Sequence, residues 1–569
     1  MRSGWFGLVA VAALLTSCGD GAGDSEPTLQ FRVGGTVSGL DGSITLQLNS
    51  GERLTLSQSG PFLFETPIDD GNPYRVAITT APAEQVCTLK APSGRIAGTD
   101  VDSVQATCVR RTYTLGGRVA GVTGSLQLSL DSGETLSVDA PSAFTFQTQL
   151  PRGSPYTVTL GTPPRGFRCA LTGGSGTVAG PVTDITVQCT PWFALTTFQP
   201  AKLVLGQNDF TLRLPNQGDS TGYTTQFRPA GHPTLVEGRL YVSDSGNHRI
   251  VGFDVMPTAN GPSASFFLGQ IDFFPHSESA GPRGLARPAT IAVEAGRMVV
   301  ADRGNNRVVV HLSTPKDTFV PANAIVGQPD FLNISPRCDR RSLRTPSGVS
   351  LVQGKLVVAD TDNHRVLIWN TLPTSHNAAA DLVLGQPGFT SCVANDAHQD
   401  GTSAEAPTAS TLSRPEGVWT DGTRLLVADT GNHRVLLWNP FPTTNGQPAD
   451  LVLGQPGFTT ADAATSATGM NAPNNVNSTG QQIFVSERGN NRITLWNQFP
   501  TNNGAAAELV LGQPDLTSRS RSDPPIEDPD QDPIPSARSL YAPGGVLLAA
   551  PYLVVTDTEN HRTLIFESQ

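Results

Sequence analysis

The sequence predicts an all-β fold, and three observations carry that reading. Gly (58) and Pro (45) together approach a fifth of the 569 residues, which favours turns and short strands over long helices. Apolar residues alternate with polar ones over short stretches in the first third of the chain, a period of two. The remainder repeats one unit of about 58 residues six times, and each unit holds four short apolar runs separated by turn residues. A hydrophobic content of 38% is enough for packed cores, so wholesale disorder is excluded. The length exceeds one compact core and calls for several domains.

Elements follow in chain order. Residues 1–18, MRSGWFGLVAVAALLTSC, join a short basic start at Arg2 to an apolar run too short to span a bilayer. The run ends in Leu15-Thr16-Ser17-Cys18, which resembles the lipobox of bacterial lipoproteins. The resemblance implies cleavage before Cys18 and acylation of that residue, anchoring the chain to a membrane. Gly19 after the cysteine, where inner-membrane lipoproteins often carry Asp, favours the outer membrane of the bacterial envelope, with a periplasmic or a surface-facing orientation left open. Residues 19–30 form a small, polar, acidic leash.

Residues 31–110 and 111–191 are copies of one another. VGGTVSGLDGSITLQLNSGERLTLS (33–57) aligns with LGGRVAGVTGSLQLSLDSGETLSV (115–138). In each copy a paired-Phe strand, Phe62/Phe64 or Phe144/Phe146, precedes a Pro-Tyr-x-Val strand, and small β-sandwiches are expected. The pattern resembles the Ig-like and prealbumin-like modules of bacterial surfaces. Each copy keeps two cysteines, so Cys87–Cys108 and Cys169–Cys189 are the economical pairs, each closing a loop worth roughly 3 kcal/mol. Disulfides need an oxidising compartment, which agrees with export.

From residue 195 to 569 two motifs recur six times each. The first reads VSDSGNHRI (242–250), VADRGNNRV (300–308), VADTDNHRV (358–366), VADTGNHRV (427–435), VSERGNNRI (485–493) and VTDTENHRT (555–563). The second is LVLGQPGF and its variants, beginning with LVLGQNDF at 203–210. The Asn-His-Arg signature resembles the NHL-repeat family of β-propellers, with Asn306 and Asn491 where that family prefers His. The resemblance implies a six-bladed propeller. The physical reading agrees, because runs such as KLVVAD (355–360) and RVLIWN (365–370) are apolar throughout, as a sheet buried on both faces requires. A d-type strand at 201–206 precedes the first complete set, and the last set lacks one. The N-terminal strand is therefore expected to complete the sixth sheet and remove an open edge. In the repeated turn, Asp360 should accept turn amides, Asn363 should take the left-handed conformation and Arg365 should bond across the turn. Trp369, Trp438 and Trp496 recur at one point of the third strand and read as packing between sheets.

Alternating strand direction puts the Asn-His-Arg turns and the d–a loops on one face. Both long insertions, about 390–411 and 517–537, fall there, as do Cys338 and Cys392 of successive loops, which should form a third disulfide. Binding is expected on that face. His232, Arg287 and Arg414, at the entries to inner strands, should ring the mouth of a central channel with Glu416 and Asn474 nearby, a polar pocket suited to an anionic or sugar-like ligand. Asp528, Asp530 and Asp532 imitate the start of a calcium loop, but Pro533 stands where the turn needs Gly, and no metal is expected.

The net charge of -11, with 26 Lys plus Arg against 34 Asp plus Glu in 195–569, excludes a nucleic-acid partner. Inner strands offer Asn477 and little else for a metal, and no nucleophile, zinc or phosphate-loop motif occurs, so no cofactor is expected. The expected function is a noncatalytic, lipid-anchored binding or scaffold protein of the cell envelope, with an unknown protein or glycan as partner. The alternative is a metal-dependent hydrolase or lyase with its site in the central channel.

Overall fold

The computed structural model describes residues 28–218, 224–272, 277–396, 398, 400–403, 406–521 and 534–569. Cys18 and the acidic loop with Asp528, Asp530 and Asp532 lie outside them. Among the described residues there are strands and single 3-10 turns but no α-helix, and no helix long and apolar enough to cross a membrane.

The first N-terminal copy forms two four-stranded sheets. One holds Gly60–Leu63, Val33–Ser38, Val101–Arg110 and Gln85–Lys90, and the other Arg53–Leu56, Ile44–Leu48, Pro73–Thr80 and Ser93–Arg95. Period-two alternation sends Val37, Leu46, Phe62, Val76 and Val104 into one core shared by both sheets. Phe62 and Phe64 meet edge to face, centroids 5.8 Å apart, as Phe144 and Phe146 do in the second copy. That copy departs by running Leu115–Leu130 as one continuous strand that pairs with several others. Cys87–Cys108 and Cys169–Cys189 each bridge directly opposed residues of neighbouring antiparallel strands, with Cα atoms 4.0 Å apart.

The rest of the chain builds six four-stranded antiparallel sheets, numbered here in chain order by their first three strands. Sheet 3 is typical: Pro346–Val352, Lys355–Asp360, Arg365–Trp369 and Leu382–Leu384 as strands a to d. Sheet 6 takes its fourth strand, Leu203–Leu205, from before sheet 1, with Leu203 opposite Ile565 and Leu205 opposite Thr563. The a strands contact one another in a closed cycle, sheet 1 touching both sheet 2 and sheet 6. Strands b and c are buried on both faces, so every residue of Arg365–Trp369 and of Arg434–Trp438 is inaccessible. Trp369, Trp438 and Trp496 are buried between sheets and spend their indole N–H on the carbonyls of Ala378, Gln447 and Ala505.

Outer edges are sealed by a device the sequence did not announce. The c–d loop of one sheet reaches the d strand of the sheet before it. Asn260, His376, Asn445 and Asn503 accept the backbone N–H groups of Val204, Ile325, Val383 and Val452 on these edge strands. Ahead of the expected start at 195, Phe193 is buried edge to face on Phe484, and the Gln482 side chain clasps its backbone N–H (2.7 Å) and carbonyl (3.0 Å).

Candidate functional site

The site is assembled from the turn between strands b and c. Asp360 accepts the Arg344 N–H and, through Oδ2, the Arg365 Nε–H at 2.7 Å and the Asn363 amide at 2.8 Å. Arg365 donates further to the carbonyls of Phe389, Asp339 and Ser342, which ties the turn to the d–a loops on the same face. Arginine and acid are both fully buried in all six sheets, with Glu487 as the acid in sheet 5. Burial pushes the Asp302, Asp360, Glu487 and Asp557 carboxyls up, and the adjoining guanidinium opposes that shift.

The left-handed position belongs to His364 (φ 54°), not to Asn363 as expected. Asn363 is spent on Asp360 and the Arg337 carbonyl. The residue after the repeated Asn is left-handed in every sheet: His248, Asn306, His364, His433, Asn491 and His561. Its carbonyl is held by the Gln of the second motif, as Gln386 holds His364 O at 3.0 Å and Gln513 holds Asn491 O at 2.9 Å. Its side chain crosses to the next sheet. His248 Nδ1 accepts the Arg287 N–H, His364 that of Arg414, His433 that of Ala472 and His561 that of Arg228, at 3.0–3.2 Å. Asn306 and Asn491 do the same with Oδ1 for Thr345 and Ala542, at 2.8 and 2.9 Å. The departure from His in sheets 2 and 5 therefore preserves the acceptor.

The six receiving residues all have φ of 47–53° and all precede a proline. Non-glycine residues in that conformation are strained, and each is held there by its latch. This ring also corrects the expected register. Arg228, not His232, stands with Arg287, Thr345, Arg414, Ala472 and Ala542. Two steps of the same kind, Arg228-Pro229 and His232-Pro233, follow each other, and the contact of the Phe227 N–H with Asp244 (2.7 Å), matching that of Ala286 with Asp302, joins the His561 latch in selecting the first. His232 sits further along the chain, half-buried, with Nδ1 3.1 Å from the Pro233 carbonyl. Burial lowers its pKa.

Inside the ring lies a cavity of about 800 Å³. Arg287, Glu416 and Asn474 line it, whereas His232 and Arg414 do not. Arg414 instead pairs with the lining residue Asp362 at 3.0 Å. Glu416, nearly buried, receives both terminal nitrogens of Arg488 at 3.1 and 3.2 Å. Asn474 donates to the carbonyls of Pro543 and Gly544 and leaves a buried Oδ1 without a partner. Sequence reasoning missed Arg303 and Arg488 as lining residues because both belong to turns that look purely structural when repeated, and missed Arg228 because His232-Pro233 was taken for its proline step. Asn477 is spent on Val546 O and the Ser478 N–H. Among the described residues, no three His, Cys, Asp or Glu side chains converge as metal ligands would. Cys338 and Cys392 are joined, linking the d–a loops that lead into sheets 3 and 4 on this face.

Residues 343–369 match the NHL repeat. That segment runs from the inner strand of sheet 3 through its latch turn to Trp369. None of the curated proteins matches the sequence. Solved structures with some likeness include a virginiamycin B lyase from Staphylococcus aureus, 10% identical, with a TM-score of 0.33 over 61% of this chain and 97% of that one. An auxiliary nutrient binding protein from Bacteroides thetaiotaomicron is 12% identical, with a TM-score of 0.37 over 80% of this chain and 98% of that one. Likenesses this loose carry nothing about activity or ligand. The chain holds an NHL repeat within an all-β, propeller-like fold, and its three disulfides fit an extracellular or envelope setting.

Proposed function

We propose that this is a noncatalytic binding protein of the bacterial cell envelope, taking its ligand at the mouth of a six-bladed propeller. Cys18 is the lipid anchor to the outer membrane, residues 19–30 are a leash, and the sandwich modules 31–110 and 111–191 hold the propeller of 195–569 away from the membrane. The partner is a protein or glycan of the envelope. The observation that carries the reading is the cavity of about 800 Å³ on the ring axis, opening among charged side chains on the face that also bears the d–a loops and the Cys338–Cys392 bridge. A rigid ring of latched sheets suits recognition, because the lining groups need little ordering on binding.

An array of envelope glycans and peptides probed with the full chain tests this reading, with metal analysis of the same preparation. Saturable binding that is lost when lining residues are changed supports it. A stoichiometric metal together with turnover of a lactone or ester would replace it with the hydrolase or lyase reading.

A further inference from the structure

In a repeated architecture, what recurs is structure and what breaks the recurrence is available for function. The first position of the latch turn is Ser245, Arg303, Thr361, Thr430, Arg488 and Thr558 in sheets 1 to 6. The three threonines spend their hydroxyls on the next sheet's proline carbonyl, as Thr430 does on Pro473 at 2.6 Å. Two arginines occupy the same place and face the cavity instead. Arg488 of sheet 5 reaches back to sheet 4 and grips Glu416, the residue after Pro415, with two hydrogen bonds. The counterpart of Glu416 one sheet behind Arg303 is Ala230, the residue after Pro229. Arg303 is therefore an Arg488 whose carboxylate has been removed. Its side chain makes no ion pair or hydrogen bond with any described residue, while the neighbouring Arg228 and Arg287 are paired with Glu559 and Glu278.

Resting on the reading of the axial cavity as a ligand site, we propose that Arg303 binds the carboxylate of a small acidic ligand seated over Ala230, in the place Glu416 holds opposite Arg488. The planar fork of a guanidinium matches a carboxylate through two parallel hydrogen bonds, and Glu416 displays that geometry within the same ring. Ala230 has only a methyl group and lines the cavity together with Arg303, so no described side chain supplies a carboxylate there. The class is a carboxylic acid of modest size, such as a sugar acid or a short dicarboxylic acid.

Calorimetric titration of the full chain with D-glucuronate and succinate, against D-glucose and succinamide as uncharged counterparts, tests the assignment. At least one acid should bind about tenfold tighter than its neutral partner. Arg303→Gln should abolish that preference. Ala230→Glu should abolish it too, because an internal carboxylate then occupies Arg303 as Glu416 occupies Arg488. Thermal unfolding of both variants shows whether they fold. Acids that bind no tighter than their counterparts, or an Arg303→Gln protein that keeps the preference, would overturn the proposal. Glycan or peptide binding on the array that is indifferent to Arg303 would do so as well, while leaving the cavity reading in place.

Discussion

Acid should weaken the ring through its histidine latches, and His561 is the most informative place to test this. Its Nδ1 accepts the Arg228 N–H at 3.2 Å, closing sheet 6 onto sheet 1, and only the neutral imidazole with a bare Nδ1 can do so. The side chain is buried against Phe227, with ring centroids 5.3 Å apart. Burial, with the Arg228 and Arg213 cations beside it and Glu559 opposing them, lowers its pKa to about 4. The unfolded chain titrates near the ordinary value of 6.5. Between those values the unfolded state binds the extra proton. The stabilisation is thus complete above pH 6.5, declines as pH falls, and is exhausted below about 4. A tenfold change in proton affinity is worth about 1.4 kcal/mol, so the full effect is at most about 3 kcal/mol. His561→Asn should retain the latch, since Asn306 and Asn491 make it with Oδ1, and should remove this share of the pH dependence. Urea unfolding of parent and variant at pH 7.5, 6 and 4.5 provides the comparison. His311, also lowered to about 4 by burial, and His364 and His433, lowered by burial, supply the background common to both proteins. Equal loss of stability between pH 7.5 and 4.5 in the two proteins would refute the latch account.

Arg434→Met leaves Asp429 buried without its cation and strips three carbonyls of a donor, so urea unfolding should show a loss of about 3–5 kcal/mol. Gln386→Leu unties the His364 and Val393 carbonyls, and a loss of about 1–3 kcal/mol is expected by the same measurement. Cys338→Ser should lower thermal stability by an amount equivalent to about 2–4 kcal/mol, and peptide mapping of the parent should recover the Cys338–Cys392 crosslink. Cys18→Ala should move the protein from the membrane to the soluble fraction of fractionated cells.

Much of the all-β plan was legible because it is written in periods. Alternation marked the strands around Leu46 and Val76, and two-sided burial marked KLVVAD and RVLIWN as central strands. Sixfold recurrence of the turn, an acid followed by x-x-Asn, then His or Asn, then Arg, showed that those residues serve architecture, and the structure adds that His is there for a bare acceptor that Asn also supplies. The candidate site was legible only in part. Arg287, Glu416 and Asn474 line the cavity, but His232 was set in the ring by a proline that follows it, one step after the proline that counts.

Taken alone, the sequence determined what depends on neighbours along the chain: strand periodicity, the turn residues, the number of repeats and the pairing of cysteines held within each copy. Tertiary structure alone decided what depends on residues from different sheets meeting. Arg303 and Arg488 follow buried acids in identical turns, and nothing in either segment reveals that one faces Glu416 and the other Ala230. A local motif fixes its own backbone, but the charge across a cavity comes from another repeat some seventy residues away, and only closure of the ring brings the two together.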